Sequence, residues 1–124
     1  MNAGKKSYAQ AQFRLEQSED DGAITVRCLG KSILRDPNEF LMPVLQKNVR
    51  EAASRKKRLV LDFTELLYMN SSTLTPIIKV LERIRMGEGA ITLLYRKDLK
   101  WQAISFSALV IFQTGDGRIE IKGV

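Results

Sequence analysis

Six residues, Arg58-Leu-Val-Leu-Asp-Phe63, place apolar side chains at successive positions instead of alternate ones. A strand with one wet face alternates, whereas a continuous apolar run marks a strand covered on both faces, as in a parallel sheet. Parallel neighbours cannot be joined by a tight hairpin and need a crossover, ordinarily a helix. The chain supplies one: Leu74, Ile77, Ile78, Leu81 and Ile84 recur on one helical face. A buried strand, a short connection and an amphipathic helix commit the chain to an α/β architecture.

The flanking segments agree. Phe13–Gln17 and Ile24–Cys28 alternate around the turn signal Glu19-Asp-Asp-Gly22, and are expected to form a hairpin. Leu41, Val44, Leu45, Asn48, Val49 and Ala52 share a face of a first helix, which Pro37 opens. The second helix is expected to end near Gly87-Glu-Gly89. Ile91–Tyr95 reads as a strand, and Asp98 as the cap of a third helix containing Trp101, Ile104, Ala108, Leu109 and Phe112. Ile119–Ile121 follows the Asp116-Gly117 turn as a short last strand. The order β-β-α-β-α-β-α-β predicts a mixed sheet with an N-terminal hairpin. The 124 residues fit one domain, expected over 11–124, with the polar residues 1–10 as a flexible lead.

Composition narrows the classes of function. Hydrophobic residues make up 44%, within the range of a folded soluble domain. No apolar run reaches the length of a membrane span, and the polar start Met-Asn-Ala-Gly-Lys-Lys-Ser lacks the apolar stretch of a secretory signal. A lone Cys28 cannot pair within the chain, which suits a reducing cytoplasm. It falls mid-strand and is read as core. With no histidine, a serine nucleophile would lack its usual base. Neither a metal-ligand cluster nor a glycine-rich phosphate loop occurs. These features describe a non-enzymatic protein with no metal and no cofactor. The net charge of +6, from 20 basic and 14 acidic residues, fits an acidic partner, with nucleic acid as the weaker alternative. Part of that charge, Arg55-Lys-Lys-Arg58, is explained by a helix end without any ligand.

In βαβ units the loops that leave strand C-termini gather on one edge of the sheet. Gly30–Ser32, Asn70–Ser72 and Arg96–Asp98 are expected there, and Arg55–Arg58 on the opposite edge. On the first edge, Met69-Asn-Ser-Ser-Thr-Leu74 sets two hydroxyls at the mouth of a helix. Free backbone N–H groups and the helix dipole favour negative charge at that place. The segment is suited to carry a phosphate; equally, Asn70 or Ser71 is suited to plain N-capping.

The element order, together with Leu59-Val-Leu-Asp-Phe63 and then Met69-Asn-Ser-Ser-Thr-Leu74, resembles the STAS family over about residues 13–122. These are the anti-sigma factor antagonists of bacterial partner-switching systems. Their hallmark is a strand, a short loop and Asp-Ser-Ser-Gly-Leu opening a helix. In that family a serine kinase, itself the anti-sigma factor, phosphorylates the first serine; the unphosphorylated antagonist binds the kinase and frees the sigma factor. The resemblance implies phosphorylation at Ser71, with Ser72 the less favoured neighbour, and a cytoplasmic serine kinase of the anti-sigma type as partner. With the expected edge, it implies partner contacts at Lys31, Ser32, Asn70, Ser71, Ser72, Thr73, Lys97, Lys100 and Trp101.

Asn70 stands where the family has Asp, and Thr73 where it has Gly. Asn removes a negative charge beside the hydroxyl, and Thr adds a branched side chain where a kinase needs close approach. Pro76 lies in or just past the first helical turn. The sequence therefore resembles a divergent STAS branch. Some such proteins regulate nucleotide cyclases or stress-signalling complexes without a phosphoswitch, and that is the second reading. Asp62 is expected to hold a structural hydrogen bond. Trp101 is expected to pack under the sheet edge, with partner anchoring as the alternative. The oligomeric state is left open.

Overall fold

A computed structural model describes residues 5–33, 35–36 and 38–124. Its strands are β1 (Lys6–Gln10), β2 (Phe13–Glu19), β3 (Ala23–Ser32), β4 (Arg58–Asp62), β5 (Leu66–Met69), β6 (Ile91–Tyr95) and β7 (Ile119–Gly123). Its helices are α1 (Leu41–Ser54), α2 (Leu74–Met86) and α3 (Lys100–Ser107). A 3-10 turn, Ser71–Thr73, leads into α2, and another, Ala108–Phe112, prolongs α3.

The hairpin forms as expected: β2 and β3 pair antiparallel, Leu15 opposite Cys28. β3, β4, β6 and β7 then lie side by side, all parallel. β5 pairs in parallel with the end of β3, continuing the sheet where β4 stops. Together they make the mixed α/β sheet that the element order implies.

Burial along β3 and β4 alternates: Ile24, Val26, Cys28, Leu59 and Leu61 are sealed, while Thr25, Arg27 and Val60 are partly exposed. The sealed set meets Leu45 and Val49 of α1, Ile77 and Leu81 of α2, and Phe106 of α3 in one core. Phe106 lies against Phe63 at 4.7 Å and stacks on Tyr95 at 5.7 Å between ring centroids. The expectation that Leu59–Leu61 is covered on both faces is therefore corrected. Val60 sits on the open face in register with Thr25 and Thr92. Shielding by these cross-strand neighbours is enough to keep an apolar residue there.

Three further expectations change. The flexible lead of residues 1–10 is corrected from Lys6 onward: Lys6–Gln10 is β1, antiparallel on β2, with Tyr8 opposite Leu15 and packed against the core. Its other side chains are exposed, which is why the segment reads as polar. Pro37 lies outside the described residues, and α1 begins at Leu41. Asp98 does not cap α3: its carboxylate binds Arg96, and Leu99 holds the cap position.

Gly30 makes the transfer of β3 from β4 to β5 possible. Its φ is +82°, and a Cβ there would fall 1.9 Å from the Gln12 carbonyl oxygen. The register with β5 shifts between Gly30 and Lys31, and the Lys31 N–H donates to that same carbonyl at 3.0 Å. The outer border of β7 is hydrogen-bonded by the chain itself. Ile119 N–H donates to the Thr114 hydroxyl at 3.1 Å, and Ile121 N–H to Gln113 Oε1 at 2.9 Å.

Candidate functional site

The parallel strands bring residues 31–33, 63–65, 70–73 and 96–99 to one edge of the sheet, as the topology predicts. β5 delivers the central segment. Asn70 N–H donates to the Ser32 carbonyl at 2.9 Å, extending the β3–β5 ladder by one bond. Thr73 N–H then returns to the Asn70 carbonyl at 3.1 Å and closes the 3-10 turn. Pro76 has no N–H to offer the Ser72 carbonyl, and the α-helix starts at Leu74.

Side chains fix this turn from below. Thr73 Oγ1 donates to Asn70 Oδ1 at 2.7 Å and lies 2.6 Å from Ser32 Oγ. An amide oxygen only accepts, so the Thr73 proton is spent on Asn70 and Ser32 donates to Thr73. The result is a directed chain, Ser32 to Thr73 to Asn70, with Ser32 and Thr73 fully buried. Both were expected to touch a partner, and both are corrected to internal anchors. The inward turn of Thr73 also removes the expected obstruction to a kinase. Ser71 is left exposed at the turn and Ser72 half-buried.

Around this turn the surface is apolar and basic. Leu67 and Tyr68 are 66% and 48% exposed on β5, and Lys31, Lys97 and Lys100 are exposed. Lys31 is in register with Tyr68. Lys97 N–H donates to the Val124 carbonyl at 3.2 Å, which sets Lys97 beside the end of β7. Arg96 is engaged by Asp98 at 2.8 and 3.0 Å, and the guanidinium holds the Asp98 carboxyl below its usual range. Trp101 is half-buried and packs against the core, as expected.

Sequence reasoning missed Gln102. It is fully buried, accepts the Arg96 N–H at 2.7 Å, and donates through Nε2 to the Phe63 and Leu66 carbonyls at 2.6 and 3.0 Å. One side chain thus ties α3 to the loop after β4, the start of β5 and the end of β6. A lone amide beside Trp101 in an uncharged helical stretch was the available signal. Asp62 accepts from both the N–H and the hydroxyl of Thr64, in the structural role expected of it. Burial pushes the Cys28 thiol up, in keeping with a core residue.

The opposite edge is structural. Arg55 and Lys57 both bind the Glu19 carboxylate, and Arg58 reaches the Ile91 and Gly117 carbonyls. Among the described residues there is no group of three or more His, Cys, Asp or Glu side chains able to hold a metal ion, and no helix is long and apolar enough to cross a membrane.

No family model matches the chain, and no curated protein matches it in sequence. Solved structures do match in fold. An anti-sigma factor antagonist from Mycobacterium paratuberculosis superposes with a TM-score of 0.64 at 18% identity, covering 87% of this chain and 92% of that one. SiaC of Pseudomonas aeruginosa gives 0.64 at 17% identity over 97% and 96%. A chain from the complex of the P. aeruginosa diguanylate cyclase SiaD with its activator SiaC gives 0.64 at 18% identity over 94% and 99%. The chain has the STAS-like fold of these proteins.

Proposed function

We propose that the protein is a non-enzymatic regulator of the anti-sigma factor antagonist type, acting in the cytoplasm and controlled by phosphorylation at Ser71. Its partner is a serine kinase that doubles as an anti-sigma factor. The observation that carries this reading is the split roles within Asn70–Thr73: the Thr73 hydroxyl is locked inward, while Ser71 is exposed at the helix mouth. A regulated serine needs access for the kinase and a rigid frame that the added charge does not disturb. Phosphate brings roughly two negative charges. A helix start tolerates them, whereas the centre of a packed interface does not. Asn70, Ser71, Ser72, Lys31, Lys97 and Lys100 form the contact surface, to which Leu67 and Tyr68 add apolar area.

The likeness to SiaC favours a second reading, in which the same edge engages a nucleotide cyclase. One experiment addresses both. Wild type and Ser71→Asp are used as baits in their own cells, and captured proteins and phosphosites are read by mass spectrometry. The expected result is phosphate on Ser71 and a kinase captured by wild type alone. Binding of the purified partner by Ser71→Asp is expected to fall by about thirtyfold or more, since an unpaired interfacial charge costs on the order of 2–5 kcal/mol. A cyclase captured in place of the kinase selects the second reading. Equal capture by both baits, with phosphate on Ser72 alone, removes Ser71 from its role.

A further inference from the structure

The turn between β1 and β2 consists of Ala11 and Gln12, with Gln10 and Phe13 paired on either side. Turns this short need positive φ, which Gly, Asn or Asp supply at little cost. Here Ala11 supplies it, at φ +54°. A Cβ in that conformation crowds the following carbonyl oxygen. Lys56, the other non-glycine residue at positive φ among those described, follows α1, where a left-handed residue is a usual ending. Ala11 ends no helix. Elsewhere glycine fills such places, as at Gly89 and Gly117, with φ of +106° and +79°. β1 is also lightly held. It is a border strand of the sheet, and its side chains are exposed apart from Tyr8. Tyr8 packs against the core, and its hydroxyl accepts from Lys47 Nζ at 3.3 Å. Backbone pairing to β2, from Lys6 opposite Gln17 to Gln10 opposite Phe13, supplies the rest of the attachment.

We propose that two copies of the chain exchange β1, each strand seating on β2 of the other copy, with Ala11 and Gln12 opened into an extended hinge. The seat is defined by the strand that already fills it. A second β1 has the same sequence and fits the same register, so Tyr8 again meets Lys47 and every β1–β2 backbone pair re-forms. The closed and exchanged forms therefore differ at the hinge. Opening it releases Ala11 from the left-handed region. It also gives up the bond from the Lys31 N–H to the Gln12 carbonyl, 3.0 Å in the closed turn. Short hinges under strain favour exchange for this reason. Once extended, the hinge joins β1 and β2 into one long strand. Two such strands run antiparallel about a two-fold axis between their hinges, so the exchange closes with two copies. Relief at one residue per copy offsets only part of the entropy lost on association, so the dimer is weak and depends on concentration.

Sedimentation velocity from roughly 10 μM to 1 mM, after equilibration at each concentration, tests this over a range suited to a weak dissociation constant. The apparent mass of the wild type is expected to rise toward that of a dimer. Ala9→Cys with Arg14→Cys sets thiols on facing residues of β1 and β2; native Cys28 is buried and does not compete. Oxidised when dilute, this variant ties β1 to its own β2 and is expected to stay monomeric at the highest concentration. Oxidised when concentrated, its dimers are expected to run as covalent dimers on a denaturing gel without reductant, because the bond then links β1 of one copy to β2 of the other. Ala9→Cys alone, oxidised alongside, measures random collision and is expected to cross-link far more slowly. Ala11→Gly relaxes the closed turn without any added thiol, and its dimer dissociation constant is expected to rise by roughly tenfold or more. A wild type monomeric throughout, a dimer whose added cysteines bond only within each copy, a tethered variant that dimerises as wild type does, a single-cysteine variant that cross-links as fast, or an Ala11→Gly dimer as tight as wild type would each overturn the proposal.

Discussion

Thr73 shows how far one side chain alters the reading of a motif. Beside two serines at a helix mouth, a branched residue in place of glycine looks like an obstruction on the surface. Its hydroxyl in fact points into the protein, between Ser32 and Asn70. Nothing in the sequence signals this, because Ser32 is 41 residues away and comes close only through the β3–β5 pairing. Thr73→Val keeps the shape and removes both bonds, leaving the buried Ser32 hydroxyl without its Thr73 acceptor. We expect a loss of about 1–3 kcal/mol in urea denaturation. A double-mutant cycle with Ser32→Ala is expected to give a coupling of at least about 0.5 kcal/mol. Additive losses would show that the two hydroxyls act independently.

At the scale of elements, long periodic segments were legible and short irregular ones were not. The hairpin, α1, β4, α2, β6 and β7 all follow from apolar spacing and turn residues, because each presents a repeating face to the core. β5 has four residues with burial only at its two ends, a pattern with neither helical nor strand period. It exists because β3 outlasts β4 and leaves backbone groups to pair, a tertiary cause that no local rule contains. Gly30 is the pivot of that arrangement. Gly30→Ala adds a Cβ against a backbone oxygen in a left-handed conformation, and the oxygen belongs to the turn of the β1–β2 hairpin. The expected cost is about 2–4 kcal/mol from combined strain and overpacking, read from the denaturation midpoint. Selective loss of hydrogen-exchange protection in β5 is expected to accompany it. A substitution with no effect would mean that the end of β3 shifts freely.

For the whole molecule, electrostatics divides the two edges of the sheet. In the basic run Arg55–Arg58, which the sequence explains by a helix end, Arg55, Lys57 and Arg58 are drawn into internal bonds. Glu19 is the acceptor for Arg55 and Lys57, and their hydrogen bonds lower its carboxyl from the ordinary 4.5 to about 2. The folded state therefore binds this proton less readily than the unfolded chain. The stabilisation is complete above pH 4.5 and fades as pH falls toward 2. Thermal melting in that window is expected to drop more steeply for wild type than for Glu19→Gln, with the curves converging at the acid end. Parallel curves would mean that Glu19 titrates as a free carboxylate.

The border of β7 has a consequence for how such molecules share a crowded solution. Sheets recruit one another where backbone donors and acceptors at an edge are left open. Unlimited stacking needs every added copy to offer a fresh edge on its far side. With Gln113 and Thr114 already occupying the outer N–H groups of Ile119 and Ile121, a copy that docked through any other edge would present a finished one to the next arrival. Growth by that route ends after one step. The chain can then accumulate without seeding fibres by that route.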